Sequence, residues 1–220
     1  MRRVWITRTQ PQADATAARL RAMGFEPVVA PVLVSRAITD VDVDLSGVDA
    51  LAFTSAAGVR AFADLSPERT LPVFAVGAAT AEAARGAGFS TIRTGGGDVH
   101  ALVTTMAEAG SGAVLNPTAR EPAADLPALL AARGIPATSI AVYETVPTEA
   151  SAPTDIDAIL IHSARAARMV AGLISPERAR ALKVFAISEA AAAPLRALAF
   201  ASLATSPFPD EASLLSLLQG

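Results

Sequence analysis

Short hydroxyl side chains follow several apolar segments of this sequence and are the first candidates for chemistry. They are Thr54, Ser55, Thr80, Ser163 and Ser188. Each lies near the end of a predicted strand and the start of a predicted helix, where backbone N–H groups lack partners and carry partial positive charge. Such positions bind carboxylates and phosphates without a lysine, and Lys183 is the only lysine here. The pattern predicts an anionic ligand at the carboxyl ends of the strands.

Each candidate also has a purely structural alternative. Serine and threonine are good N-caps, and a cap needs no ligand. Arg8, after the first apolar segment, is either an anion contact or a solvated surface charge. Tyr143, the only tyrosine, ends an apolar segment and either reacts or packs its ring with the hydroxyl at the rim. His162 could transfer a proton, but a single loop histidine more often has a structural role.

Other kinds of site lack support in the sequence. The chain has no cysteine, and its two histidines, His100 and His162, are far apart, which argues against a metal site. The segment Gly95-Gly96-Gly97-Asp98 lacks the glycine spacing of a dinucleotide loop, so we interpret it as a flexible turn. We therefore expect neither a metal nor a bound cofactor.

Composition narrows the class of protein. The 220 residues are 52% hydrophobic and 18% charged, which excludes a disordered chain. Polar residues interrupt every long apolar stretch, so no membrane span is expected. The net charge of −3 and the absence of a basic block argue against nucleic-acid binding. With no secretory signal, we expect a cytoplasmic protein.

The order of apolar patterns predicts an α/β fold. Val4–Ile6 is typical of a buried strand, Ala13–Met23 has helical spacing and ends before Gly24, and Pro27–Val34 predicts a second strand. Strands and helices continue to alternate along the chain. This alternation favours parallel sheets with helices on both faces.

The second half of the sequence repeats the first. Ser66-Pro67-Glu68-Arg69 recurs as Ser175-Pro176-Glu177-Arg178, 109 residues later. The equivalent pairs elsewhere are Val4–Ile6 with Ala113–Leu115, the turns at Gly24 and Gly134, Phe53–Ala56 with Ile161–Ala164, and Val73–Val76 with Val184–Ile187. The spacing is too long for a solenoid and predicts two related α/β lobes. We interpret the repeated Ser-Pro-Glu-Arg as a surface helix cap.

At these residues the sequence resembles the uroporphyrinogen-III synthase family. The matching segments are Ile6-Thr7-Arg8, Leu51 to Val59, Val73 to Ala81, Val142-Tyr143-Glu144-Thr145 and Ile161-His162-Ser163-Ala164. The resemblance implies two Rossmann- or flavodoxin-like lobes joined by two extended linkers, with the active site in the cleft between them. One lobe would combine residues 1–35 with 150–220, the other would span 40–142, and the linkers would lie near 34–39 and 143–149.

The resemblance also implies the reaction. These cofactor-free lyases cyclise linear hydroxymethylbilane, which carries eight carboxylates, with loss of water and inversion of its terminal ring. We expect the Tyr143 hydroxyl to help the substrate hydroxyl leave. We expect the carboxylates to contact Arg8, Thr54, Ser55, Thr80, Ser163 and Ser188. A monomer that receives its substrate in a transient hand-over from the upstream deaminase is expected.

Two residues depart from the family pattern. Ala191 replaces the threonine expected at the counterpart of Thr80, and Glu189 introduces a carboxylate near the expected substrate carboxylates. That carboxylate is unfavourable for an anionic ligand unless it is paired or points away. The departures leave open an alternative in which the chain is a non-catalytic two-lobed protein that binds a small polyanion. A sensor module that closes on a small anion is a third possibility.

Overall fold

The structure is a computed structural model and describes residues 2–219 of the chain. The chain divides into two compact units. The first unit combines the chain up to Val34 with the chain from Val146 onward, and the second spans Ser35–Thr145. Each unit is built around its own β-sheet. Because helices cover both faces of such a sheet, each unit needs one hydrophobic layer on each face.

The helices and strands alternate along most of the chain. The first half contains β1 (Arg3–Ile6), α1 (Gln12–Ala22), β2 (Glu26–Val29), β3 (Leu33–Ala37), β4 (Ala50–Phe53), α2 (Ala56–Leu65), β5 (Val73–Ala75), α3 (Ala78–Gly86), β6 (Ile92–Thr94) and α4 (Val99–Glu108). The second half contains β7 (Val114–Ala119), α5 (Leu126–Ala131), β8 (Ala137–Pro147), β9 (Ala158–Ile161), α6 (Ala164–Leu173), α7 (Pro176–Ala179), β10 (Lys183–Ala186), α8 (Glu189–Ala192), β11 (Ser202–Thr205) and α9 (Glu211–Ser216). Short 3-10 helices follow α8 and α9.

The two sheets share one strand order. The first sheet runs β11-β10-β9-β1-β2 and the second runs β6-β5-β4-β7-β8, with β3 added beyond β8. The five shared strands of each sheet are parallel. The sequence correspondences pair β1 with β7, β4 with β9 and β5 with β10, and these strands hold equivalent places. The predicted α/β class with parallel sheets and flanking helices is therefore confirmed.

Alternation along the strands builds a core on both faces of each sheet. In the first unit Trp5 packs against α6, whereas its neighbours Val4 and Ile6 pack against the α1 and α9 side. In the second unit Phe53 belongs to the α2 side and Ala52 to the α4 side. Adjacent strand residues point to opposite faces, so a strand covered on both sides must be apolar throughout, as β4 and β9 are.

The connecting strands β3 and β8 pair with each other. The Ile38 N–H donates to the Val142 carbonyl and the Thr148 N–H donates to the Val32 carbonyl. The residue numbers rise on one strand as they fall on the other, so β3 runs antiparallel to β8. The chain passes from one unit to the other within these two strands.

Two local predictions need correction. The strand predicted over Pro27–Val34 is broken between β2 and β3, where Pro31 has no N–H to donate to a ladder. The Ser-Pro-Glu-Arg repeat does begin a helix at Ser175, which accepts a hydrogen bond from the Arg178 N–H. At Ser66 the prediction of a helix cap is wrong, because this serine ends α2 and no helix begins there.

Candidate functional site

The carboxyl edge of the second sheet brings Ser55 and Tyr143 together. Ser55 follows β4 and caps α2, since its Oγ accepts the Gly58 N–H at 3.0 Å. Tyr143 lies on β8, and its hydroxyl is 2.9 Å from Ser55 Oγ. Two candidates that are 88 residues apart thus share one hydrogen bond. The pair lies next to the point where the strand order reverses, between β4 and β7, which is the usual ligand site of such sheets.

Gly58 allows the close packing on which this pair depends. A Cβ at this position would lie 2.8 Å from the Pro117 carbonyl oxygen on β7 and 3.4 Å from Ser55 Oγ. A backbone oxygen cannot rotate away, so only glycine fits between α2 and β7 here. The glycine in the matched segment Leu51–Val59 therefore has a structural reason.

The pairing of β7 with β8 is irregular beside Tyr143. Thr118 pairs with Ala141, but the next β7 residue, Ala119, pairs with Tyr143. Val142 therefore has no partner on β7. Such bulges disrupt the ladder and re-aim the following side chain. Beyond the bulge, the Arg120 N–H donates to the Tyr143 carbonyl at 2.8 Å.

The remaining candidates of this unit lie at the same edge. Thr54 is half-buried directly after β4. Thr80 lies in the first turn of α3 and is only 5% exposed. The N-cap of α3 is Gly77, which has no side chain to satisfy the first N–H groups of the helix. These N–H groups and the helix dipole suit an anion better than the capped start of α2 does.

The Gly95–Asp98 segment forms a turn between β6 and α4. A Cβ on Gly95 would lie 2.3 Å from Leu102 Cα on α4, so the glycine lets this helix approach. Gly96 and Gly97 both have positive φ angles, of 41° and 108°. Asp98 caps α4 by accepting the N–H groups of His100 and Ala101. The interpretation as a turn is confirmed, and each of its residues has a defined role.

The first unit places Arg8 in an ion-pair cluster with Glu211. Arg8 Nη1 donates to Glu211 Oε2 at 3.0 Å, and Arg19 pairs with the same carboxylate at 2.6 Å. Thr16 Oγ1 donates a short hydrogen bond to Glu211 Oε1. Burial alone would raise the pKa of Glu211, but Thr16 and the two guanidinium charges outweigh it and lower the pKa. Arg8 is thus already partly neutralised within its own unit.

His162 lies beside this cluster in the first unit. Both ring nitrogens are buried, and neither has a hydrogen-bond partner within residues 2–219. Burial is the main cause that lowers its pKa to about 4; the charge of Arg8 acts in the same direction and Glu211 opposes it. His162 is therefore neutral at neutral pH.

We expect His162 to make folding sensitive to mild acid. Between about pH 4 and 6.5 the unfolded chain binds a proton on this residue that the folded chain does not, so stability falls as pH is lowered. His162→Phe should remove this loss. The unfolding free energy of the variant relative to the parent should rise by about 3 kcal/mol from pH 6.5 to pH 4. Urea titrations along this pH range measure it.

His100→Gln is the matched control, because His100 is exposed in α4. Its unfolding free energy should follow that of the parent at every pH. Parallel pH profiles for His162→Phe and the parent would contradict the prediction.

Ser163 and Ser188 cap the helices that follow β9 and β10. Ser163 Oγ accepts the Ala166 N–H at 3.1 Å and Ser188 Oγ accepts the Ala191 N–H at 3.3 Å. Glu189, the unfavourable carboxylate, is paired with Arg196, whose Nε donates at 3.0 Å. The pairing removes one of the two observations that motivated a non-catalytic protein; the other, Ala191 at the counterpart of Thr80, remains.

Sequence reasoning missed several charged residues near the candidates. Glu211 meets Arg8 across 203 positions, and Glu144 meets Arg36 across 108. Neither pair has a local spacing that could have revealed it. Within residues 2–219 no group of acidic and histidine side chains could hold a metal ion. Over the same range no helix is long and apolar enough to cross a membrane.

Comparison with known proteins identifies the family. The family model described as uroporphyrinogen-III synthase HemD matches residues 14–216. The chain belongs to the uroporphyrinogen-III synthase family. The resemblance noted in the sequence is thereby confirmed.

Individual relatives of this synthase family agree. The crystal structure of the Helicobacter pylori uroporphyrinogen-III synthetase superposes with a TM-score of 0.69 at 16% identity, covering 100% of this chain and 99% of that one. A mutant synthase from Thermus thermophilus gives 0.53 at 21% identity, with 100% and 97% covered. These likenesses show a shared fold.

One curated relative matches over a shorter stretch. A Methanocaldococcus jannaschii protein named "Putative uroporphyrinogen-III synthase" is 44% identical over 57 residues, which is 26% of this chain. The match spans 24% of that protein's length.

Proposed function

We propose that this chain is an active uroporphyrinogen-III synthase, which cyclises hydroxymethylbilane to uroporphyrinogen III and water with inversion of the terminal ring. The observation that carries the proposal is the family match over residues 14–216. The hydrogen-bonded Ser55 and Tyr143 at the carboxyl edge of the second sheet support it.

The chemistry demands orientation more than strong acids or bases. Unassisted closure of hydroxymethylbilane gives the uninverted isomer, so the enzyme has to favour attack at the substituted position. A protein can do this by holding the linear molecule in one pose, which is worth several powers of ten in rate. Backbone N–H groups at the start of α3 and the hydroxyls of Thr54, Ser55 and Thr80 suit the carboxylates of such a substrate.

The first unit has its own candidates for binding substrate carboxylates. Ser163 and Ser188 lie at the carboxyl ends of β9 and β10, which are equivalent to β4 and β5. Arg8 pairs with Glu211 in the same unit, and its guanidinium has further N–H groups for a carboxylate. We assign these three residues to substrate binding.

Tyr143 is the residue we place at the departing hydroxyl. Either atom of the Ser55–Tyr143 hydrogen bond can be the donor. When Ser55 donates to the phenolic oxygen, the Tyr143 proton is left for the substrate oxygen that departs as water. Ser55 can do this while it accepts the Gly58 N–H, because a hydroxyl has one donor and two acceptor positions.

Several further properties belong to the proposal. The lobes would follow the family division, with residues 1–35 and 150–220 in one and 40–142 in the other, and linkers near 34–39 and 143–149. The protein would act in the cytoplasm as a monomer, without a cofactor. It would receive hydroxymethylbilane from the upstream deaminase.

A coupled assay tests the activity. The purified chain is added to a deaminase reaction that produces hydroxymethylbilane, and the two uroporphyrinogen isomers are separated by chromatography after oxidation. We expect the inverted isomer to predominate, against the uninverted isomer in the deaminase reaction alone. If the uninverted isomer alone forms with the chain present, the chain is not a synthase.

A further inference from the structure

Glu144 joins three strands of the second sheet through two ion pairs. Its Oε1 accepts from Arg36 Nε at 3.1 Å and from Arg36 Nη2 at 2.5 Å, while its Oε2 lies 3.4 Å from Arg120 Nε. Arg36 is on β3, Glu144 on β8, and Arg120 directly follows β7. The carboxylate therefore spans the β3–β8–β7 edge of the sheet.

The contacts of Glu144 meet those of Tyr143 at the same place. Tyr143 precedes Glu144, and its carbonyl accepts the N–H of Arg120, the residue whose side chain pairs with Glu144. At its other end, the Tyr143 hydroxyl contacts Ser55. Arg120 thus reaches both residues, one by its backbone and one by its side chain.

The bulge at Val142 explains why side-chain contacts matter for the position of β8. With Val142 unpaired on β7, the backbone ladder between β7 and β8 is interrupted immediately before Tyr143. A one-residue slip of β8 against β7 would turn every side chain of β8 to the opposite face. Two ion pairs on Glu144, just beyond the bulge, tie β8 to β3 on one side and to the end of β7 on the other.

We propose that Glu144, held by Arg36 and Arg120, is a positioning residue that keeps the Tyr143 hydroxyl at Ser55. Glu144 touches neither Ser55 nor the reacting atoms; it acts through the strand. The inference rests on the proposed function for its effect on turnover, but the placement of Tyr143 can be measured without substrate.

The lone tyrosine makes that measurement direct. Protein labelled with ¹³C-tyrosine contains one labelled ring, so its NMR signals report on Tyr143 alone. In Glu144→Gln, which keeps the shape and removes the charge, we expect these signals to shift and broaden. We also expect kcat to fall about tenfold while KM changes less than twofold, because misplacing a reacting group costs rate rather than binding.

Glu26→Gln is the matched control. Glu26 accepts from Arg3 Nε at 3.1 Å across neighbouring strands, the same distance as the Arg36 Nε contact, but in the first unit. The control should leave the tyrosine signals and kcat unchanged. Arg36→Ala should reproduce the effects of Glu144→Gln in weaker form, and Arg36→Lys should partly restore the parent signals.

The outcomes separate this inference from the proposed function. Unchanged tyrosine signals in both Glu144→Gln and Arg36→Ala overturn the inference, whatever happens to kcat. Shifted signals with unchanged kcat overturn it too. If the parent makes no inverted isomer, the proposed function fails, and shifted tyrosine signals still support the positioning of Tyr143. Should Glu144→Gln not fold, the pair Arg36→Ala and Arg36→Lys decides alone.

Discussion

Tyr143→Phe is expected to lower kcat for the inverted isomer about a hundredfold, the lower range for loss of a positioned proton donor. Phenylalanine keeps the ring between β8 and α2 but removes the hydroxyl that contacts Ser55. Spontaneous closure of the accumulated substrate should then raise the share of the uninverted isomer. The coupled assay measures both the rate and the isomer ratio.

Two further variants define what the Tyr143 result means. Ser55→Ala keeps the phenol but removes its partner, so its kcat should lie between those of the parent and Tyr143→Phe. Ser175→Ala removes the cap of α7 and should leave kcat unchanged. A Tyr143→Phe protein that retains the full rate and the full isomer ratio would exclude the phenol from the chemistry.

Gly95→Ala should destabilise the second unit by about 3 kcal/mol, the upper range for overpacking a buried site. The added Cβ would lie 2.3 Å from Leu102 Cα and 2.7 Å from Leu102 N. Both are backbone atoms of α4, so relief requires the helix itself to move. Urea unfolding followed by circular dichroism measures the change in free energy.

Gly172→Ala provides a comparison of the opposite sign. Gly172 lies in α6, and a Cβ there would meet no atom within 4 Å. Because alanine forms helices better than glycine, this variant should gain up to about 1 kcal/mol. Equal effects of the two substitutions would show that α4 does not press on Gly95.

The repeat in the sequence predicted most of the fold. Five matched segments in one order implied two related lobes, and the two sheets indeed share one strand order. Local rules also worked at Ser55, Ser163 and Ser188, because an N-cap and the helix it begins are neighbours in sequence. A capping residue can be predicted from a single sequence because it and the helix it begins are only a few positions apart.

Contacts between residues that are far apart in sequence could not be predicted. Nothing near Glu144 in sequence indicates Arg36 or Arg120, and nothing near Arg8 indicates Glu211. The bulge at Val142 was equally hidden, because it is defined by its partner strand and not by its own residues. Tyr143 stood out as the only tyrosine and its role was expected from the family motif, whereas its hydrogen bond to Ser55 needed the structure.

The division of the first unit between the two ends of the chain has a consequence for its biosynthesis. β1 pairs with β9 as well as with β2, yet β9 begins only at Ala158, after the whole of Ser35–Thr145. Ribosomes add ~5–20 residues per second, so the β1 edge stays open for seconds while the middle unit is being synthesised. Throughout this interval the nascent chain carries a bare strand edge on β1, which a chaperone or another chain can occupy.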